Sequence, residues 1–132
     1  MRVALDTNVL VRLVTDDDPE QARTAEQHVE GNQLFLAKTV LLEAEWVLRY
    51  AYELPRSTIA GVFHKLLGLE GLEVEADSDV RVALAGYEHG LDFADALHLA
   101  SSRGCDQLAT FDRTFAASAA KLAARPAVAL LR

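Results

Sequence analysis

The sequence predicts an α/β domain with a mostly parallel sheet. Short apolar runs alternate with helix-length segments from end to end. No internal repeat, low-complexity tract or linker rich in Pro, Gly or Ser interrupts the alternation. The length, 132 residues, suits a single domain over residues 1–132, and 51% apolar residues suffice for a core.

Val3-Ala4-Leu5 reads as a strand buried on both faces, ending at Asp6. Thr7 and Asn8 are suited to cap a short helix over 8–15. Asp16-Asp17-Asp18-Pro19-Glu20 supplies a loop, an N-cap and a proline at the first helical position, and that helix stops at Gly31-Asn32. Leu34-Phe35-Leu36-Ala37 is the second strand. Thr39 is expected to cap the third helix, which reaches about Glu53. Pro55 opens a helix ending near Gly68, and Leu72-Glu73-Val74 reads as an edge strand. Ser78 and Asp92 start two further helices, which end at Gly90 and at Arg103-Gly104. Gln107-Leu108-Ala109-Thr110 is a strand, residues from Asp112 to about Lys121 a short helix or turn, and Ala127-Val128-Ala129-Leu130 a last strand.

Composition narrows the function. The formal charge is −7, from 20 acids against 13 bases, which argues against a non-specific nucleic-acid coat. It leaves room for a metal site, which needs carboxylates, and favours a basic protein partner. No apolar run reaches the ~18 residues that span a bilayer, so no membrane association is expected. The start reads as no signal peptide, and the single Cys105 has no internal partner, so a reducing, cytoplasmic setting is expected.

Four acids are candidate ligands. Asp6 and Asp112 each follow a strand, and open α/β sheets bind ligands beyond the carboxyl ends of their strands. The competing reading is that each caps the next helix. Glu43 falls on an apolar stripe of Val40, Ala44, Val47 and Ala51 and is expected to point inward, whereas Glu45 pairs with Arg49 on the outer, solvated face. Asp95 sits in Phe93-Ala94-Asp95-Ala96-Leu97-His98-Leu99-Ala100, a helix apolar almost all round, where a carboxylate needs a cation, a donor or a proton. Asp92, one turn earlier, reads as the N-cap and a possible extra acid. Clustered carboxylates call for a hard cation, Mg²⁺ or Mn²⁺. Zinc is disfavoured by one cysteine and four histidines (28, 64, 89 and 98) without a close ligand pair, of which His98 alone lies near a candidate acid.

These segments carry a resemblance. Leu5-Asp6-Thr7-Asn8-Val9-Leu10, Val40-Leu41-Leu42-Glu43, Asp92-Phe93-Ala94-Asp95-Ala96-Leu97-His98 and Thr110-Phe111-Asp112 look like the successive motifs of PIN-domain nucleases, in particular the VapC-like toxins of toxin–antitoxin pairs. The resemblance covers essentially the whole chain. It implies a three-layer α/β/α sandwich and Mg²⁺ or Mn²⁺ held by Asp6, Glu43, Asp95 and Asp112. It also implies support from Thr7, Asn8 and Thr110, endonucleolytic RNA cleavage, a homodimer and a small antitoxin. Water attack would leave 5′-phosphate and 3′-hydroxyl ends.

Arg12, Lys38, Arg49 and Arg56 are candidate contacts for RNA or an antitoxin. Trp46, Tyr50 and Tyr52 give the third helix more apolar surface than one core face needs, which suggests either a thick core or an interface. The Asp16-Asp17-Asp18 run reads as a solvated loop and cap. A phosphatase that begins with an Asp after a strand would want a second Asp two residues on, and position 8 is Asn8. A catalytically inactive PIN-like binding or scaffold module is the other alternative.

Overall fold

The apolar start of the chain forms a strand one residue earlier than expected, β1 (Arg2–Ala4). In this computed structural model, which describes residues 1–132, β1 opens the first of two compact units, Met1–Asp77 and Ser78–Arg132. Helices α1 (Thr7–Val14) and α2 (Pro19–Val29) follow, then β2 (Gln33–Leu36), α3 (Lys38–Tyr50), α4 (Arg56–Leu67) and β3 (Leu72–Val74). The strands are parallel in the order β1-β2-β3, with Val3 opposite Leu34 and Leu34 opposite Leu72. A tight turn cannot join parallel neighbours, so two helices bridge each pair. β3 lies at the sheet edge, as expected.

Three local expectations need correction in this unit. β1 is not buried on both faces: Val3 is half-buried and Ala4 exposed, and the buried residue is Leu5, just beyond the strand. Asp6, rather than Thr7 or Asn8, caps α1. α3 starts at Lys38, with no cap from Thr39; instead the Lys38 N–H donates to Glu75 Oε1 at 2.9 Å. That cap comes from beyond β3, 37 residues away, so no local pattern could have announced it.

α3 is also rotated relative to the expected stripe. Its buried residues are Leu41, Ala44, Glu45 and Leu48, while Val40 and Val47 are half-buried and Ala51 exposed. Glu45 is therefore not solvated. It is only 2% exposed and meets Arg49 Nε at 2.8 Å, the i,i+4 partner that the sequence did indicate. Leu10, Val11, Leu36, Ile59, Phe63 and Val74 are buried in the same unit.

α2 begins as expected, with Pro19 in the first turn and the Asp18 carboxylate accepting from Gln21 N–H at 3.0 Å. Asp17 is not a free loop acid. The Tyr52 hydroxyl donates to it at 2.7 Å and holds its carboxyl below the usual range, with Thr15 and Arg12 acting in the same direction.

The second unit holds all but the first residue of α5 (Asp77–Glu88), then α6 (Phe93–Ser101), β4 (Gln107–Thr110), α7 (Arg113–Lys121) and β5 (Ala127–Leu130). β4 and β5 pair in parallel, with Gln107 opposite Ala127 and Thr110 opposite Leu130. The ladder hydrogen bonds thus form two sets, three strands and two, and both have the parallel sense that the sequence predicts. Gly90, at φ +109°, turns the chain between α5 and α6, a conformation open to glycine. Beyond it Tyr87 and Phe93 meet edge-to-face, with ring centroids 5.3 Å apart. Leu84, Leu97, Phe115 and Ala119 are also buried in this unit. No helix is long and apolar enough to cross a membrane.

Candidate active site

Asp6 leaves β1 in an extended conformation (φ −78°, ψ 163°) and caps α1. Its Oδ1 accepts from Thr7 N–H at 2.8 Å, which fixes the carboxylate and leaves its other oxygen available. Thr7 is buried at 6% exposure, and its hydroxyl donates to Glu43 Oε1. Two candidate acids far apart in sequence are therefore tied through one threonine, itself 36 positions from Glu43: Asp6 holds its backbone and Glu43 its side chain.

The rotation of α3 explains how Glu43 arrives there. With Leu41, Ala44, Glu45 and Leu48 turned inward, Glu43 is exposed rather than held in the core. It borders an open cavity of about 420 Å³ lined also by Asp6, Thr7, Asn8, Arg12 and Tyr52. Asn8 thus lies beside the acid pair, where the resemblance implies a supporting residue. Arg12 lines the cavity too, but its guanidinium is engaged: it donates to Gln21 Oε1 at 2.6 Å and to Tyr52 Oη at 2.9 Å.

In the second unit the acids gather at two helix N-termini. Asp92 caps α6 as expected, its Oδ2 accepting from Asp95 N–H at 3.3 Å. Asp112 caps α7, its Oδ1 accepting from Phe115 N–H at 3.0 Å. The Thr110 hydroxyl accepts from Asp112 N–H at 3.0 Å and so braces the loop that carries the acid. Asp95 lies half-buried in the first turn of α6. Burial pushes its carboxyl above the usual range, and the negative charges of Asp92 and then Asp112 push it the same way, while His98 pulls it back. Capping and site chemistry are thus not exclusive. An N-cap acid spends one oxygen on the helix, and that contact pre-orients the other.

A family model for the PIN domain matches residues 3–121, a span that contains all four acids and runs through both units.

The chain belongs to the PIN domain family.

PIN domains are generally nucleases, hydrolases that typically use divalent metal ions. No curated protein matches the chain. Its α/β class and parallel strands agree with the family fold. The donors of this PIN domain fit a hard cation, because the candidate ligands offer carboxylate oxygen alone and Asp95 is crowded by like charge that a cation would relieve. As the side chains lie, no three His, Cys, Asp or Glu residues stand close enough to cage an ion. The acids occur instead as a Thr7-linked pair in one unit and an electrostatically coupled set in the other.

The remaining candidates are placed as follows. Arg49 lies beside the buried Glu45, with its guanidinium 4.5 Å from the Tyr50 ring centre. Lys38 and Arg56 are the first residues of α3 and α4. Trp46 and Tyr50 are exposed, whereas Tyr52 is half-buried in the Arg12–Asp17 network. Two features escaped the sequence reading. One is the role of Thr7 as a bridge rather than a neighbour. The other is Phe111, 76% exposed beside Asp112, whose place in an acidic motif was the available signal.

Proposed function

We propose that this PIN domain is a metal-dependent endoribonuclease, the toxin of a VapBC-type toxin–antitoxin pair. By their match to the family's motifs, Asp6, Glu43, Asp95 and Asp112 are the acids that would hold Mg²⁺ or Mn²⁺. The observation that carries the reading is the Asp6–Thr7–Glu43 linkage on the wall of an open cavity, within a family that generally cleaves nucleic acids. A bound divalent cation neutralises phosphate charge and lowers the pKa of water. Asp6, fixed by its cap, and Glu43, fixed by Thr7, supply pre-oriented oxygens at little reorganisation cost. Burial and the charges of Asp92 and Asp112 disfavour an ionised Asp95, and a cation held by these acids would offset that penalty. Water then attacks phosphorus in line, the P–O3′ bond breaks, and the 3′ oxygen takes a proton, leaving 5′-phosphate and 3′-hydroxyl ends.

The toxin subtype rests on the motif resemblance, as do a homodimeric state and inhibition by a small antitoxin. Cleavage of a mixed RNA pool with Mg²⁺, with Mn²⁺ and with EDTA, beside Asp6→Asn, tests the activity. Metal-dependent cutting that disappears in the variant is expected. A 2′,3′-cyclic phosphate end would refute water as the nucleophile. A folded protein that neither cuts nor binds metal would favour an inactive binding module.

A further inference from the structure

Glu43, Trp46 and Tyr50 lie three and seven positions apart, so they share one face of α3, and all three are exposed. Trp46 is 58% and Tyr50 57% exposed, with ring centroids 5.2 Å apart and planes tilted by 47°. At that tilt the rings do not cover each other's faces. Arg49 lies over the Tyr50 ring and covers one of its faces, which leaves Trp46 as the principal open ring. Val47, on the same side of the helix, lines the cavity that Asp6 and Glu43 border. The aromatic row therefore leads away from the candidate acid along one helix face, Tyr50 standing about 10 Å from Glu43 along the axis.

We propose that Trp46, with Tyr50 beside it, is a stacking platform for an unpaired base of a single-stranded RNA next to the nucleotide at Glu43. The proposal rests on the nuclease reading and extends it to how substrate is held. Every base has a π-face, so stacking gives grip without demanding a sequence. It also suits a chain of charge −7, which cannot rely on broad cationic surface. The size of the patch favours a base over a second copy of the chain. Two rings fall far short of the roughly 800 Å² that each partner buries in a stable complex. The other large exposed apolar side chains of this unit, Met1 and Leu69, lie outside α3.

Trp46 is the only tryptophan, so its emission reports on this face alone. The test titrates the wild-type protein in EDTA, which prevents metal-dependent cutting, with short oligo-U and oligo-A and with an abasic oligomer of equal length and charge. Both base-bearing oligomers should quench Trp46 and bind at least several-fold more tightly than the abasic one. By anisotropy of labelled RNA, Trp46→Ala should weaken binding by roughly 5- to 100-fold, and Trp46→Phe should retain most of it. Absence of binding, equal behaviour of the abasic oligomer, or unchanged affinity in Trp46→Ala overturns the platform. So does a wild-type dimer that Trp46→Ala converts to monomer with RNA affinity unaltered, since a second copy would then cover this face. Cleavage with Mg²⁺ is run in parallel. Cutting with KM unchanged in Trp46→Ala removes the platform alone, whereas base-dependent quenching without cutting removes the nuclease reading alone.

Discussion

The buried hydroxyl of Thr7 donates to the carboxylate of Glu43, joining the first residue of α1 to the middle of α3. Thr7→Val keeps the shape and removes the donor. Glu43 then loses its orientation and the buried site loses a hydrogen bond. RNA cleavage should fall at least tenfold, with stability lowered by about 1 kcal/mol. Thr7→Ser should retain most activity. Cleavage rates beside urea denaturation decide it, and a fully active Thr7→Val would show that the link is not needed.

Asp6 has two duties that substitution can separate. Asparagine still caps a helix, so Asp6→Asn should change stability by only a few tenths of a kcal/mol while abolishing metal-dependent cleavage. Asp6→Ala should abolish cleavage and also cost about 1 kcal/mol through the lost cap. Thermal unfolding of the two variants measures the difference. Equal stability would mean that the Thr7 N–H bond contributes nothing.

Asp95 sets a pH dependence with a definite sign. Its folded carboxyl binds its proton more tightly than the unfolded one, because burial, Asp92 and Asp112 all disfavour the charge. The folded state therefore holds more protons across the interval from the ordinary carboxylate value up to the raised one, and stability contributed by this group declines as pH rises through it. In EDTA, Asp95→Asn should raise the melting temperature at neutral pH and flatten that decline. Mg²⁺ should stabilise the wild type increasingly as pH rises, because protons compete for the same carboxylate. Melting curves against pH, with and without Mg²⁺, would expose the opposite slope if the assignment of Asp95 is mistaken.

Glu45 and Glu43 sit two positions apart and should behave oppositely. Removing the arginine from beside buried Glu45, as in Arg49→Ala, should cost on the order of 3 kcal/mol. Glu43→Ala, at an exposed position, costs only the acceptor of the buried Thr7 hydroxyl, about 1 kcal/mol, yet should abolish cleavage. Urea midpoints for both variants check the contrast, and a Glu43→Ala as destabilising as Arg49→Ala would recast Glu43 as structural.

Much of the architecture was legible locally. The ends of β4 and β5, the Asp18–Pro19 start of α2, the Asp92 start of α6 and the α7 start after Asp112 follow from capping chemistry and apolar runs, forces that act within a few residues. Asp6, Glu43, Asp95 and Asp112 stood out for the same reason: carboxylates at strand ends or on apolar helices are conspicuous. The sequence by itself therefore determined the elements, their parallel sense and the acids worth testing. Only tertiary structure decided which face of α3 is buried, and with it that Glu45 is enclosed while Glu43 meets Thr7. It also decided that Glu75 caps α3 from 37 residues away and that Asp92 and Asp112 act on Asp95. Helix rotation, distant caps and coupled charges depend on which side chains meet across long stretches of chain, and periodicity read along one helix cannot see its neighbours.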